Sequence, residues 1–244
     1  MSTDNDKQTI SIRGITVQVI KKSIKNLHVS VLPPNGRVRI TAPLKMKDEA
    51  IRMAIISRFT WTKKQQTKFK NQERQSIREY VSGESHYFLG KAYRLKIETT
   101  DGISLVFIKG KTQLVMRVAK DSTTDKRGEL LDKWYRTQLR VIFEKLISKW
   151  EKKMKVSVTK VGIRRMKTRW GSCNQEQKSI WLNLELIKKP ASSIEYVLVH
   201  EFCHLKEKKH NNVFLSLMDK NMPKWRMYKD DLNKMPLSYE KWTY

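Results

Sequence analysis

His200-Glu201-Phe202-Cys203-His204-Leu205-Lys206-Glu207-Lys208-Lys209-His210 is the stretch on which the reading of this chain turns. His200 and His204 stand four residues apart, so on a helix both imidazoles leave from one face and can grip a single ion. Glu201 sits beside the first histidine, where a carboxylate can take a proton from a metal-bound water. His210 comes six residues after His204, far enough for the chain to leave the helix and return a third ligand. Three protein ligands and one open position is how catalytic zinc is held, and the pattern points to a zinc hydrolase.

The flanks agree with a helix. Pro190-Ala191-Ser192-Ser193-Ile194-Glu195 reads as a helix start, with Ser192 and Glu195 spaced as a capping box. Ile194, Val197, Leu198, Phe202 and Leu205 recur at helical spacing, which predicts a buried helix. The alternative is a core helix whose histidines hydrogen-bond locally while Glu201 pairs with a basic residue. Burying two imidazoles and a carboxylate together is costly unless each finds a partner, which favours the metal. Just upstream, Ile180, Leu182, Leu184 and Leu186 predict one face of a strand. With Trp181, Asn183 and Glu185 toward the cleft, that strand's free edge offers pairing to an extended peptide; an ordinary sheet strand is the competing reading.

Further out, Leu131, Trp134, Tyr135, Leu139, Ile142, Leu146 and Trp150 form an apolar stripe that predicts a long helix. A strand near Val156 to Val161 and a loop through Gly171 follow, and a last helix carries Phe214, Leu217 and Met218 up to Pro223. Toward the N-terminus the period changes to two. Ile15, Val17 and Val19, then Leu27, Val29 and Val31, then Val38 and Ile40 after the turn Pro33-Pro34-Asn35-Gly36, read as strands. Ile51, Ala54, Ile55 and Phe59 mark one helix reaching to Lys70, and a second β segment runs from Tyr87 to Val118. The polar run Asp121-Ser122-Thr123-Thr124-Asp125 is the expected joint. The expectation is an α+β protein: a β-rich region over 1–125 with one long helix, and the H-E-x-x-H domain over 126–244. No internal repeat is visible.

Fifty-one Lys and Arg against 24 Asp and Glu give the 244 residues a formal charge of +27. Such an excess attracts polyanions, unless it reflects only a solvated surface. The polar start Met1-Ser2-Thr3-Asp4-Asn5-Asp6 has no apolar core for a secretion signal, and no stretch has the length of a membrane span. Cys173 and Cys203 lack CxxC spacing and read as reduced structural thiols, so the expected compartment is the cytoplasm.

Arg169-Trp170-Gly171-Ser172-Cys173, Trp181-Leu182-Asn183-Leu184, the metal helix from Val199 to Leu205, His210 with Phe214, and Met222-Pro223-Lys224-Trp225 together resemble the YgjP-like metallopeptidase family. Val38-Arg39-Ile40-Thr41-Ala42-Pro43, Trp61 and Leu89-Gly90-Lys91-Ala92-Tyr93 extend the resemblance over most of the chain. The resemblance implies a small zincin-type catalytic half, related in pattern to SprT-like proteases. It also implies zinc on His200, His204 and His210, with Glu201 as base. It admits nucleoside triphosphate pyrophosphohydrolysis on UTP as well as peptide cleavage.

Metzincins carry glycine where this chain has Glu207, so the turn that returns His210 must be made otherwise, through Lys208, Lys209 and Asn211. Arg169, Arg165 and Tyr228 are candidates to steady an oxyanion, with Asn183 a further candidate for binding substrate. A peptide or protein is the first expected substrate. A nucleotide is the second, because residues 145–169 hold ten Lys and Arg and one acid, Glu151. A third reading is a nucleic-acid-binding protein with a structural metal site, drawing on basic and aromatic residues interleaved at Trp150, Arg164, Arg165, Arg169 and Trp170. Structural zinc takes four protein ligands, and only three are visible here.

Overall fold

A computed structural model describes residues 7–32, 35–71, 78–166 and 169–234. The chain divides into two compact units, Met1–Gln75 with Tyr239–Tyr244, and Ser76–Ser238. Among the described residues no helix is long and apolar enough to cross a membrane. The architecture is mixed α+β, with β-rich sheets first and the H-E-x-x-H helix after them.

In the first unit β1 (Lys7–Ile12), β2 (Ile15–Lys22), β3 (His28–Leu32) and β4 (Arg37–Pro43) form a sheet in the order β1-β2-β4-β3. Arg13 and Gly14, at φ 49° and 75°, make the tight turn that joins β1 to β2. Parallel pairing sets Val17 against Val38 and Val19 against Ile40. Their shared face closes on Ile51 and Ile55 of α1 (Asp48–Ser57). Of the turn expected at 33–36, Pro33 and Pro34 lie outside the described residues, and Gly36 has φ 68°. The single helix expected through Lys70 is two. The chain tightens at Arg58, whose N–H reaches only to Ile55 O, and α2 (Phe59–Asn71) starts anew.

The second unit opens on β5 (Ser85–Phe88), β6 (Lys91–Thr99), β7 (Leu105–Lys109) and β8 (Gln113–Val118), in the order β5-β6-β8-β7. Both sheets therefore share strand order, both pair their second and fourth strands in parallel, and both lead into a helix. This is an internal repeat of topology that the sequence reading missed. It survives as alternation and turns, not as side-chain identity, and period-two alternation is common to all half-buried strands.

The run at 121–125 lies inside the second unit and is a helix cap: Thr123 Oγ1 accepts from Lys126 N at the start of α3 (Thr124–Met154). Leu131, Tyr135, Leu139, Phe143 and Trp150 of α3 are buried with Leu95, Leu114 and Met116 of the sheet in one core. The same core takes in β9 (Lys160–Arg164), β10 (Gly171–Asn174), β11 (Ser179–Asn183), α4 (Ala191–His204), α5 (Asn212–Asn221) and α6 (Trp225–Lys234).

Two expectations near the site need correction. The strand through Leu186 stops at Asn183, because Asn183 Oδ1 accepts from Glu185 N and caps a 3-10 turn, Leu184–Lys188. Leu184 to Ile187 are all buried, so no alternating face exists there. β11 also has no free edge, lying between β10 and β9 in the order β10-β11-β9. The capping box is not formed either: α4 starts at Pro190 without a side-chain cap, and Glu195 accepts from Lys149 Nζ at 2.6 Å and Trp150 Nε1 at 2.9 Å.

Leu89 and Gly90, at φ 49° and 80°, turn β5 into β6, and their N–H groups donate to Ile187 O and Lys188 O. A Cβ on Gly90 would meet Pro190 Cγ at 2.9 Å, directly before the metal helix. Gly90→Ala is expected to destabilise the protein by about 1–3 kcal/mol, through strain and overpacking together. Urea unfolding checks it; an unchanged midpoint would mean that the turn and Pro190 can separate freely.

Candidate metal centre

α4 buries Ile194, Val197, Leu198, Phe202 and Cys203, which turns His200 and His204 onto the opposite side, half-exposed. His210 arrives from the connection to α5. Its Nε2 lies 3.1 Å from His204 Nε2 and 3.1 Å from His200 Nε2. Phe214, buried on the first turns of α5, supports all three rings, with centroids 4.9, 4.7 and 4.7 Å from His200, His204 and His210. The turn is made without glycine, since no residue of 205–211 has a positive φ. Glu207 Oε1 instead accepts from Lys209 N at 2.9 Å, and Asn211 Oδ1 caps α5 by accepting from Phe214 N. Glu207 is thus a turn residue whose side chain is absent from the ligand cluster.

The donor set fits a divalent metal. A carbonyl only accepts, so His204 Nδ1, 3.0 Å from Glu207 O, carries the proton and leaves a lone pair on Nε2. His210 Nε2 faces two other nitrogens at 3.1 Å. One N–H cannot serve both, and lone pairs crowded together repel unless a cation lies among them. Imidazoles on tetrahedral zinc sit about 2.0–2.1 Å from the ion, which puts their nitrogens about 3.4 Å apart, close to this spacing. Burial, with His204, His210 and Lys229 nearby, pushes His200 down to about 3, and burial holds His210 below its ordinary value. Both are therefore neutral at pH 7, the form that ligates.

Glu201 follows His200 on the helix and is buried, 5% exposed. Burial raises its carboxyl to about 8, with Arg169 pulling the other way. Room for it comes from Gly171, where a Cβ would lie 2.6 Å from Glu201 Oε1. These groups line a cleft of about 560 Å³ with Arg169, Trp170, Cys173, Tyr196 and Lys208.

A family model described as YgjP-like, metallopeptidase domain, matches residues 25–235. The chain belongs to the YgjP-like metallopeptidase family. The match bears out the resemblance carried by the motifs, and membership implies a divalent metal. The chain is also similar to the metallopeptidase zymogen abylysin of Pyrococcus abyssi, at 21% identity over 36% of this chain and 90% of that one, with a TM-score of 0.35. A second similar structure is the zymogen of Methanocaldococcus jannaschii jannalysin, at 17% identity over 38% and 92%, TM-score 0.32. No curated protein matches.

In this YgjP-like chain the other substrate candidates separate. Arg169 lines the cleft. Arg165 is held by Asp132 Oδ1 and by Glu185 Oε1 at 2.9 Å. Asn183 is buried, and its amide donates to Met166 O and Arg169 O, so it shapes the loop that carries Arg169. Tyr228 packs half-buried on the core and is not among the residues lining the cleft. The interleaved basic and aromatic residues are likewise dispersed: Trp150 is buried against Glu195, Arg164 lies over Trp181, and Trp170 lines the cleft.

Tyr196 and Lys208 were missed by the sequence reading. Tyr196 stands one turn before His200, a spacing that could have flagged it. Its hydroxyl is pushed up to about 12 by burial, with Glu201 and Asp230 adding to the effect, and stays protonated. Cys173, read as structural, lines the cleft, and burial beside Glu201 raises its thiol to about 11. It is therefore a neutral, weakly nucleophilic wall.

Proposed function

We propose that this chain is a zinc-dependent peptidase with Glu201 as general base. The reading is carried by three imidazole Nε2 atoms converging beside a buried carboxylate in an open cleft. His200, His204 and His210 would hold the zinc, which would supply a Lewis acid able to bring the pKa of a water to about 7. Glu201 accepts the proton of the attacking water and returns it to the leaving amide nitrogen. Arg169 and the protonated Tyr196 are the donors at hand for the oxyanion. All of these residues belong to 126–244, the half read as catalytic.

β10 is the edge that a peptide can use. Asn183 N donates to Trp170 O, and Gly171 stands opposite Leu182. This register turns the backbone N–H and C=O of Gly171 and Cys173 away from β11. Both residues line the cleft, so an extended segment paired there lies across the histidines. The sequence reading placed this pairing on β11, which lies between β10 and β9.

A triphosphate cradle finds less support. Within the basic run, Lys149 pairs with Glu195, Lys153 donates to Asn221 O, and Arg165 is held by two carboxylates. Among the described residues of that run, only Arg169 lines the cleft. Incubating the zinc-loaded protein with casein and with UTP, with and without chelator, is the test. Chelator-sensitive proteolysis is expected; pyrophosphate release without proteolysis would overturn the reading.

Gly171→Ala probes the same geometry. The added methyl meets Glu201 Oε1, Cγ and Cδ at 2.6 to 2.9 Å, and the carboxylate is too enclosed to yield without moving. A displacement of about 1 Å costs about 10²-fold in turnover. Peptidase assay with zinc analysis should find the activity lost and the metal kept.

A further inference from the structure

We propose that the cleft selects peptides bearing Asp or Glu beside the scissile bond. The inference rests on the peptidase reading above and names its substrate class. Arg169 stands on the loop that enters β10, and Lys208 on the connection between α4 and α5, so cations occupy two separate elements of the cleft wall. Lys229 of α6 lies within electrostatic reach of His200 and His210. Asp230 of α6, which acts on Tyr196, stands on the other side of the balance. Among the described residues Glu201 is the only acid lining the cleft, and it is buried. Glu207, the nearest other acid in sequence, is engaged by Lys209 N.

Some cations elsewhere in this unit meet acids, while others, such as Arg136 on Ile163 O and Lys153 on Asn221 O, meet carbonyls. Arg165 meets Asp132 and Glu185, Lys188 meets Glu185, Lys149 meets Glu195, and Arg226 meets Asp219. Among the described residues Arg169, Lys208 and Lys229 form no close ion pair with a carboxylate, although Arg169 acts on Glu201 at longer range; Lys229 lies 5.7 Å from the centroid of the Trp225 ring. An open cleft with an excess of one sign of charge concentrates the opposite sign within it and speeds its arrival. A peptide paired on β10 lies in the cleft that Arg169 and Lys208 line, so side chains flanking the bond come within reach of a cation. Lys and Arg at those places meet repulsion from the same groups, which adds discrimination beyond the attraction.

The zinc-loaded full chain is given a peptide library randomised around one cleavable bond. Expected is enrichment of Asp and Glu at the flanking positions, by about tenfold in kcat/KM over Lys and Arg at low salt, shrinking as salt rises. The K208E/K229E double variant, changed at two exposed positions, should lose the acidic preference or reverse it. A second readout needs no turnover: anisotropy of fluorescent acidic and basic peptides on the zinc-loaded E201Q chain, where the acidic one should bind tighter. Cleavage without acidic preference, or a preference unchanged by K208E/K229E, overturns this proposal and leaves the peptidase reading standing. Acidic preference in binding with no cleavage of any peptide by the parent chain sinks the peptidase reading instead.

Discussion

Glu201→Gln is expected to keep zinc bound while lowering kcat/KM for peptide cleavage by about 10²–10⁴-fold, the range a general base contributes. The substitution is close to isosteric, so the pocket that Gly171 leaves for the side chain stays filled and α4 keeps its packing. An amide cannot take a proton, and the three imidazoles proposed to hold the metal are untouched. A second measurement follows from electrostatics. In the metal-free protein, burial holds Glu201 near 8, so it is protonated at pH 7. A cation beside it favours the carboxylate, so zinc binding should expel that proton. Calorimetry in buffers of different ionisation enthalpy should find fewer protons released by E201Q than by the parent chain. Turnover within a few-fold of the parent would remove Glu201 from the chemistry.

How much of this was legible beforehand depends on the range over which each signal acts. The metal helix was legible because its signal is local: four-residue spacing fixes which imidazoles share a face whatever surrounds them. His210 was legible as the third imidazole of the cluster, but its turn was not. The carboxylate of Glu207 and the cap at Asn211 replace the left-handed glycine, and such side-chain-to-backbone turns leave a weak pattern. Ser192 and Glu195 were spaced as a cap, yet Glu195 goes to Lys149 and Trp150, far along the chain. A long-range partner prevailed over a local one. Leu184 and Leu186 continued the strand period, but burial on all sides makes alternation uninformative, and the cap at Asn183 ended the strand. α6 was missed because charged residues dominate it, although Trp225, Tyr228 and Leu232 keep helical spacing. Gly171 was read as part of a tight loop. That its missing side chain makes room for the Glu201 carboxylate is a tertiary fact, visible only once β10 and α4 are packed together.

His204→Ala is expected to abolish the stabilisation that zinc gives the parent chain. At a thousandfold excess over Kd, a ligand confined to the folded state adds about 4 kcal/mol. His204 is the ligand whose loss is hardest to repair, because its orientation is built in through Glu207 O and its ring rests on Phe214. The pH dependence follows from two groups of opposite sign. His200 is held near 3 when folded against an ordinary 6.5. Between those values the unfolded chain binds a proton that the folded one refuses, so this contribution is present above 6.5 and lost as pH falls toward 3. Glu201 is raised to about 8 from 4.5, so across that window the folded chain keeps a proton that the unfolded one releases. Its contribution is present below 4.5 and lost as pH rises toward 8. The metal-free protein should therefore be weakened from both sides. Zinc favours neutral imidazole and ionised carboxylate together, so its increment to Tm should grow between pH 5 and about pH 8. Thermal unfolding with and without zinc across that range reads this directly. A flat increment in the parent chain, or an increment of equal size in His204→Ala, would mean that these side chains do not share one ion.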